Sequence, residues 1–276
     1  MIRSVFGESV QGASHKRSGK ECQDSFKAVE KDKDTVILAV ADGHGSDSCP
    51  YSKAGSDTAV DVFCMIMSDY LDTYAGKPET LLTFLKREGD TKVAQEIDTE
   101  WKRRILEINS GKAQDNIVEA LTDKDNEAVY KLYGTTLIGL VIVKEFIFAF
   151  QLGDGDIIKV SKGSVENVIE ADKLLGIETH SLSKIESWKK AVTIVKKNAD
   201  SHKLPIMYML TTDGMANSYK NDDEFKKTCA DYYALLKKHG VKAVAGSLGQ
   251  WLGETSELGC GDDITALFAY YSKGFI

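Results

Sequence analysis

The apolar positions of the chain follow two periods, one typical of strands and one typical of helices. Short apolar runs rich in β-branched residues predict strands, at 4–10, 35–41, 135–143, 146–152, 156–160, 164–169, in the run PIMYMLTTDG that starts at Pro205, and at 263–271. Apolar residues spaced three or four positions apart predict helices, at 51–74, 80–108, 113–132, 222–238 and 241–253.

Residues 134–169 carry four of these strands with only short turns between them. Strands joined by such turns pair antiparallel, so the segment is interpreted as an antiparallel meander in which the sequence GDGD forms one of the turns. The helices are grouped before and after the strands and do not alternate with them. This order predicts an α+β layered fold.

Residues 171–204 are polar and mixed and show no clean period. A long stretch of this kind predicts a surface excursion or a mobile flap, with the apolar cluster 174–177 as its anchor. The chain of 276 residues contains three prolines and has no low-complexity linker. It is therefore interpreted as a single domain over 1–276.

Charge and composition exclude several classes of function. The net charge of −7 and the sequence pI near 5.4 argue against binding of nucleic acid or anionic lipid through bulk charge. No apolar run approaches the roughly 18 residues of a membrane span, and the first 20 residues lack the apolar core of a signal peptide. Five scattered cysteines fit reduced thiols. We expect a cytoplasmic protein without a membrane partner.

Aspartates stand where several predicted strands end. Asp42, Asp213 and Asp262 lie at the ends of three strands, and Asp154 and Asp156 lie in the GDGD turn. A carboxylate at a strand end is rigidly aimed and open to solvent, as the oxygen ligands of a hard cation must be. A single Asp-Gly pair is equally typical of an ordinary turn. The repetition of the pattern favours a metal site, and oxygen ligands favour Mg²⁺ or Mn²⁺ over zinc.

Six motifs occur in an order that resembles the metal-dependent Ser/Thr protein phosphatases, the PPM or 2C-type family. They are CQD (22–24), VADGHGS (40–46), GTT (134–136), QLGDGD (151–156), TTDGMAN (211–217) and GDDIT (261–265). The resemblance implies a four-layer α-β-β-α sandwich of two antiparallel sheets flanked by helices. It also implies a site for two Mg²⁺ or Mn²⁺ ions, with a weaker third ion in some members, at one edge of the sheets.

The resemblance also implies a reaction and a role for each matching residue. A water or hydroxide that bridges two cations about 3.5–4 Å apart would attack phosphoserine or phosphothreonine directly, without a covalent enzyme intermediate. His44 would protonate the departing oxygen, although a purely structural histidine is the alternative at that position. The implied metal-site residues are Asp42 as the bridge, Gly43 through its carbonyl, Asp213 and Asp262 at the other ion, Asp24 through a bound water, and Asp154 at the third ion.

Three positions depart from the family pattern. Gln23 stands where many relatives have an acidic residue, and Gly19 stands where the better-known members have an arginine that grips phosphate. His15 and Lys20 are the candidates to replace that arginine, and a solvated basic loop is the alternative. Asn217 replaces an aspartate of the third metal site, which would weaken that site.

Two other functions remain open from the sequence. The chain could be an inactive relative that serves as a binding or regulatory module, but clustered carboxylates are costly without a cation to offset them. It could also hydrolyse a small phosphorylated molecule, because substrate choice depends on surface loops. The favoured hypothesis is a monomeric protein phosphatase whose partner is a phosphorylated protein.

Overall fold

The computed structural model describes residues 2–111, 126–170, 179–198 and 204–273. The strands are β1 (Ile2–Val10), β2 (Ser25–Glu30), β3 (Val36–Ala41), β4 (Leu137–Ile142), β5 (Phe146–Leu152), β6 (Asp156–Ser161), β7 (Ser164–Asn167), β8 (Val192–Lys197), β9 (Ile206–Thr211) and β10 (Ile264–Ser272). The helices are α1 (Ala13–Ser18), α2 (Ser52–Thr73), α3 (Pro78–Glu88), α4 (Ala94–Gly111), α5 (Asn126–Lys131), α6 (Asp213–Ala216), α7 (Asp222–His239) and α8 (Val241–Leu258). Within these described ranges, every helix is too short or too polar to cross a bilayer.

The strands form two five-stranded sheets in which every pair is antiparallel. One sheet has the order β1-β10-β9-β6-β7, and the other has the order β2-β3-β4-β5-β8. Helices cover the outer face of each sheet. The predicted four-layer sandwich is therefore confirmed.

Strand β3 shows why the sheets stack. It is buried on both faces, and its side chains alternate between two cores. Ile37, Ala39 and Ala41 pack in the core beneath α2, α3 and α4. Val36, Leu38 and Val40 pack between the two sheets, against side chains of β9 and β10. A third core lies between the other sheet and helices α7 and α8.

The GDGD turn is not the hairpin that the sequence predicted. Strand β5 pairs with β4 and β8, whereas β6 pairs with β7 and β9, so residues 153–155 carry the chain from one sheet to the other. The side chain of Gln151 donates hydrogen bonds to the carbonyls of Gly153 (3.2 Å) and Gly155 (2.7 Å). Gly153 has a φ of 118°, and a Cβ on Gly155 would lie 2.4 Å from the carbonyl oxygen of Thr211.

The predicted excursion over 171–204 is only partly described. Residues 171–178, which include the proposed apolar anchor 174–177, and residues 199–203 lie outside the described ranges. Residues 192–197 form β8, an edge strand paired with β5, so the prediction is wrong for that part. Residues 181–183 are buried, and the amide of Leu182 donates to the carbonyl of Thr135 at 2.9 Å.

Gly55 allows the first turn of α2 to pack against the backbone near Tyr133. A Cβ at Gly55 would lie 1.9 Å from the carbonyl oxygen of Tyr133. We therefore expect Gly55→Ala to lower the free energy of unfolding by about 2–3 kcal/mol. A Cβ on Gly246, in α8, would meet no described atom within 4 Å apart from its chain neighbours and the nearby backbone of its own helix, and Gly246→Ala should stabilise by up to about 1 kcal/mol. Urea unfolding of both variants measures the contrast, and equal effects would contradict this packing.

Candidate active site

A cleft of about 440 Å³ lies where several strands of the two sheets end. Four carboxylates line it, and each stands at the start or end of a strand: Asp42 after β3, Asp154 between β5 and β6, Asp213 after β9 and Asp262 before β10. Residues more than 200 positions apart thus share one cleft. The structure brings together the strand-end aspartates that the sequence singled out, apart from Asp156, which is buried in β6.

The DGH and GTT motifs hold each other in place beyond the ends of β3 and β4. The amide of Asp42 donates to the hydroxyl of Thr136 at 2.9 Å, and the amide of Thr136 donates back to the Asp42 carbonyl at 2.8 Å. The amide of His44 donates to the carbonyl of Gly134 at 3.1 Å. The ladder between the two strands therefore continues into the cleft and fixes the backbone beneath Asp42 and His44.

Gly43 is required by close packing of the backbone. A Cβ there would lie 2.7 Å from the carbonyl oxygen of Gln23 and 2.9 Å from that of Ser52. Both contacts are with main-chain atoms, which cannot move aside cheaply. The glycine lets the CQD loop, the DGH loop and the start of α2 meet next to the carboxylates.

Asp24 lies beneath the cleft and is almost completely buried, with 1% of its surface exposed. The hydroxyl of Thr212 donates to its Oδ2 at 2.7 Å, and its Oδ1 is buried without a hydrogen-bond partner. Burial, followed by repulsion from Asp263 and Asp262, raises the pKa of Asp24 to about 8. Its ionised form is therefore costly unless a positive charge compensates it.

The same physical causes act on Asp42 and Asp213. Burial, and then the charges of Asp24 and Asp213, raise the pKa of Asp42 well above its usual value. Burial, with repulsion from Asp154 and Asp262, also raises the pKa of Asp213. The charge of Asp213 thus acts on Asp42, and protonation of a carboxyl relieves this repulsion in the absence of a cation.

These shifts predict how the stability of the chelator-treated protein depends on pH. A carboxyl whose pKa is higher in the folded than in the unfolded state stabilises fully below its unfolded pKa of about 4 and loses that contribution as pH rises through the folded pKa. For Asp24, this stabilising contribution is lost as the pH rises to about 8. We expect the melting temperature in EDTA to fall from pH 5 to pH 8. A melting temperature that rises across this interval would contradict the burial of these carboxyls.

Neighbouring polar groups fix the orientation of three of the carboxylates. The side-chain amide nitrogen (Nδ2) of Asn217 donates to the carboxylate of Asp213 at 2.9 Å, and the hydroxyl of Thr179 donates to the carboxylate of Asp154 at 2.8 Å. The backbone amide of Asp263 donates to Oδ1 of Asp262 at 2.9 Å. Asn217 and Thr179 also line the cleft. The sequence pattern marks Asn217 only as a missing ligand, and it gives no signal for Thr179.

His15 and Lys20, the two candidate substitutes for the arginine, have different positions. His15 lines the cleft, and its Nδ1 lies 2.9 Å from Oδ1 of Asp263. Its imidazole packs against Gly45, where a Cβ would lie 3.3 Å from the ring and where φ is 57°. Lys20 does not line the cleft; its ammonium donates to the Gly45 carbonyl and to Asp47, both at 2.9 Å. Of these two residues, His15 alone lines the carboxylate cleft.

Asp263 connects these parts of the site. Its carboxylate, 3% exposed, accepts hydrogen bonds from the amides of Gly12 (2.6 Å) and Gln23 (2.7 Å). The same carboxylate also lies against Nδ1 of His15. In the sequence, the second aspartate of the GDDIT motif is the only sign of this role. Its bonding partners lie more than 200 positions away along the chain, so the sequence does not identify them.

A family model described as protein phosphatase 2C matches residues 11–253 of the chain. The chain belongs to the protein phosphatase 2C family. This confirms the resemblance drawn from the six motifs. A comparison with curated protein sequences found no significant match.

Solved structures show the same protein phosphatase 2C fold over nearly the whole chain. An S. agalactiae serine/threonine phosphatase is 16% identical, with 99% of this chain and 100% of that chain covered and a TM-score of 0.59. The catalytic domain of PstP, in complex with two manganese ions, is 13% identical, with 99% of both chains covered and a TM-score of 0.54. RsbX in complex with magnesium is 17% identical, with 98% and 96% covered and a TM-score of 0.52. Family and fold together support a metal-dependent phosphatase.

Proposed function

We propose that this chain removes phosphate from phosphoserine and phosphothreonine in proteins and that it depends on two Mg²⁺ or Mn²⁺ ions held by the carboxylate cleft. The observation that carries the proposal is the convergence of Asp42, Asp213 and Asp262 from three strand ends, with Asp24 buried beneath them. A binding module would gain nothing from these clustered charges, which raise the pKa of one another.

The side chains fit a hard divalent cation in their chemistry. The cluster offers carboxylate oxygens, and Oδ1 of Asp24 is buried without a hydrogen-bond partner. Among the described residues, no three His, Cys, Asp or Glu side chains already have the arrangement of a metal site. The charges of Asp24 and Asp213 both raise the pKa of Asp42, and a bound cation would offset this repulsion in place of a proton.

Asp42 would be the ligand common to both ions, with the Gly43 carbonyl beside it and with Asp213 and Asp262 completing the site. Asp24 would act through a water, and Asp154 would contribute to a weaker third site. When bound, the two ions would neutralise phosphate charge and acidify the attacking water.

The chain's own residues would position the substrate on either side of this cluster. His44 lines the cleft next to Asp42, on a backbone fixed by Gly134, and would deliver a proton to the departing serine or threonine oxygen. His15, held beside Asp263 through its Nδ1, would in its protonated form donate from its Nε2 to a phosphoryl oxygen. The two histidines thus supply donors for the leaving group and for the phosphoryl group.

A panel of substrates tests the class of reaction. With Mn²⁺ present, we expect phosphate release from a phosphothreonine peptide, a phosphoserine peptide and an aryl phosphate. Turnover of the two peptides should exceed that of small alkyl phosphates such as glycerol phosphate. The reverse order would identify a hydrolase of small molecules and would overturn the assignment to protein substrates.

His15 and Lys20 give a matched pair for the phosphate contact. Because only His15 lines the cleft, we expect His15→Ala to weaken competitive inhibition by inorganic phosphate by roughly tenfold, the value of one hydrogen bond to a charged group. Lys20→Ala should change the inhibition constant less than about threefold, since an exposed ion pair contributes little. Unchanged inhibition in His15→Ala would show that the cations alone hold phosphate.

A further inference from the structure

A second cleft lies directly beside the carboxylate cleft and also has a volume of about 440 Å³. His44, Ser46 and Thr179 line both clefts. His44 therefore stands on the wall between them. A group that leaves the carboxylate cleft past His44 enters the second cleft, which we call the flanking cleft.

The two clefts have opposite charge. Asp42, Asp154, Asp213 and Asp262 line the first. The flanking cleft is lined by two lysines, Lys131 and Lys184, and otherwise by hydroxyl, thiol and imidazole groups; no carboxylate occurs among its described lining residues. The lysine ammonium groups and the hydroxyls of this lining can donate hydrogen bonds to an anion.

Two acidic residues near the lining residues form ion pairs with lysines. Asp47, between two of the lining serines in sequence, accepts a hydrogen bond from Lys20 at 2.9 Å. Lys131 lies 3.3 Å from Glu127 on the surface of α5, and the two side chains are 55% and 39% exposed. An exposed pair of this kind contributes little, so Lys131 can exchange Glu127 for an anion in the cleft.

Lys184 stands on a rigid backbone. Its neighbours Ser181 and Ser183 are buried, and their hydroxyls lie 2.9 Å apart. The amide of Leu182 donates to the Thr135 carbonyl at 2.9 Å, and the carbonyl of Lys184 accepts from Lys102 at 2.9 Å. The segment 181–184 is therefore tied both to the GTT motif and to α4, which limits the entropy lost when a ligand binds.

We propose that the flanking cleft binds acidic or phosphorylated side chains next to the scissile phosphoserine or phosphothreonine. This proposal rests on the proposed function, since the leaving group that passes His44 is then a polypeptide. An extended peptide advances about 3.3 Å per residue, so the next few side chains reach the neighbouring cleft. Because the chain carries a net charge of −7, an acidic peptide is disfavoured elsewhere, and Lys131 and Lys184 decide the preference.

Binding of labelled peptides tests the proposal without requiring turnover. Two peptides carry a non-hydrolysable phosphonate analogue of phosphothreonine, one flanked by Asp and Glu and the other by Asn and Gln. Fluorescence anisotropy with the wild-type protein in Mn²⁺ should show tighter binding of the acidic peptide by roughly tenfold, as expected for two lysine contacts. The double variant Lys131→Gln/Lys184→Gln should lose this preference and bind the neutral peptide as the wild type does.

A matched double variant, Lys189→Gln/Lys190→Gln, controls for net charge, because these lysines do not line the flanking cleft. It should keep the preference for the acidic peptide. Equal binding of both peptides by the wild type, or a preference that survives Lys131→Gln/Lys184→Gln, would overturn the proposal. Hydrolysis of an aryl phosphate separates this result from the proposed function: its absence in the wild type refutes phosphatase activity, while the anisotropy still decides the flanking cleft.

Discussion

Asp42→Asn is expected to lower phosphate release from a phosphothreonine peptide in Mn²⁺ by several orders of magnitude. The charges of Asp24 and Asp213 both act on Asp42. In the proposed site it is the ligand that both cations share, so an amide at this position weakens both at once. The measurement is kcat/KM at saturating Mn²⁺.

The same substitution should leave the fold intact and raise its stability in EDTA. Burial and the charges of Asp24 and Asp213 raise the pKa of Asp42. At a pH above the usual pKa of a carboxyl, a neutral side chain at position 42 therefore removes the cost of burying a charge and its repulsion by the neighbouring carboxylates. Asp47→Asn is the control, because that side chain is 97% exposed and bound to Lys20. An Asp42→Asn protein that keeps near wild-type turnover would show that this carboxylate is not a metal ligand.

His44→Ala should slow hydrolysis of a phosphothreonine peptide by roughly 10²-fold or more, the usual contribution of general acid catalysis. An aryl phosphate has a good leaving group that needs little protonation, so its hydrolysis should fall much less. The ratio of the two kcat/KM losses separates a proton donor from a structural histidine.

Ser46→Ala is a suitable control, since Ser46 lines both clefts and carries no group that could act as the acid. It should affect both substrates to a similar, small extent. Equal losses on both substrates in His44→Ala would remove His44 from the catalytic residues.

The sequence predicted the buried parts of the fold and missed parts of its edges. Strands such as β3 and β9, buried on both faces, have continuous apolar runs. The missed strands β2 and β8 are the two edges of one sheet, and their exposed positions dilute the apolar pattern. Helix α1 has six residues, none buried, and therefore gives no helical period.

The error at the GDGD turn has a different origin. A short turn between two apolar strands has the same sequence signal whether it closes a hairpin or connects two stacked sheets. The distinction depends on which partners β5 and β6 find, and those partners, β8 and β9, lie far along the chain. The residues around the turn therefore do not determine how β5 and β6 pair.

The candidate site was predictable to the extent that strand ends carry aspartates. The supporting contacts were not, because they join distant segments without a local pattern. Asp263 reaches Gly12, His15 and Gln23, and Thr212 reaches Asp24, each across more than 180 positions. The separate positions of His15 and Lys20 likewise depend on the placement of the DGHGS loop.

Metal dependence can be measured as phosphate release from a phosphothreonine peptide by metal-stripped wild-type protein, followed as Mn²⁺ is added back. We expect no release in EDTA and restored release on titration with Mn²⁺, with the Asp42→Asn protein remaining inactive across the same range. Release that persists in EDTA, or a folded wild-type protein that stays inactive at saturating Mn²⁺, would contradict a metal-dependent phosphatase built on this carboxylate cleft.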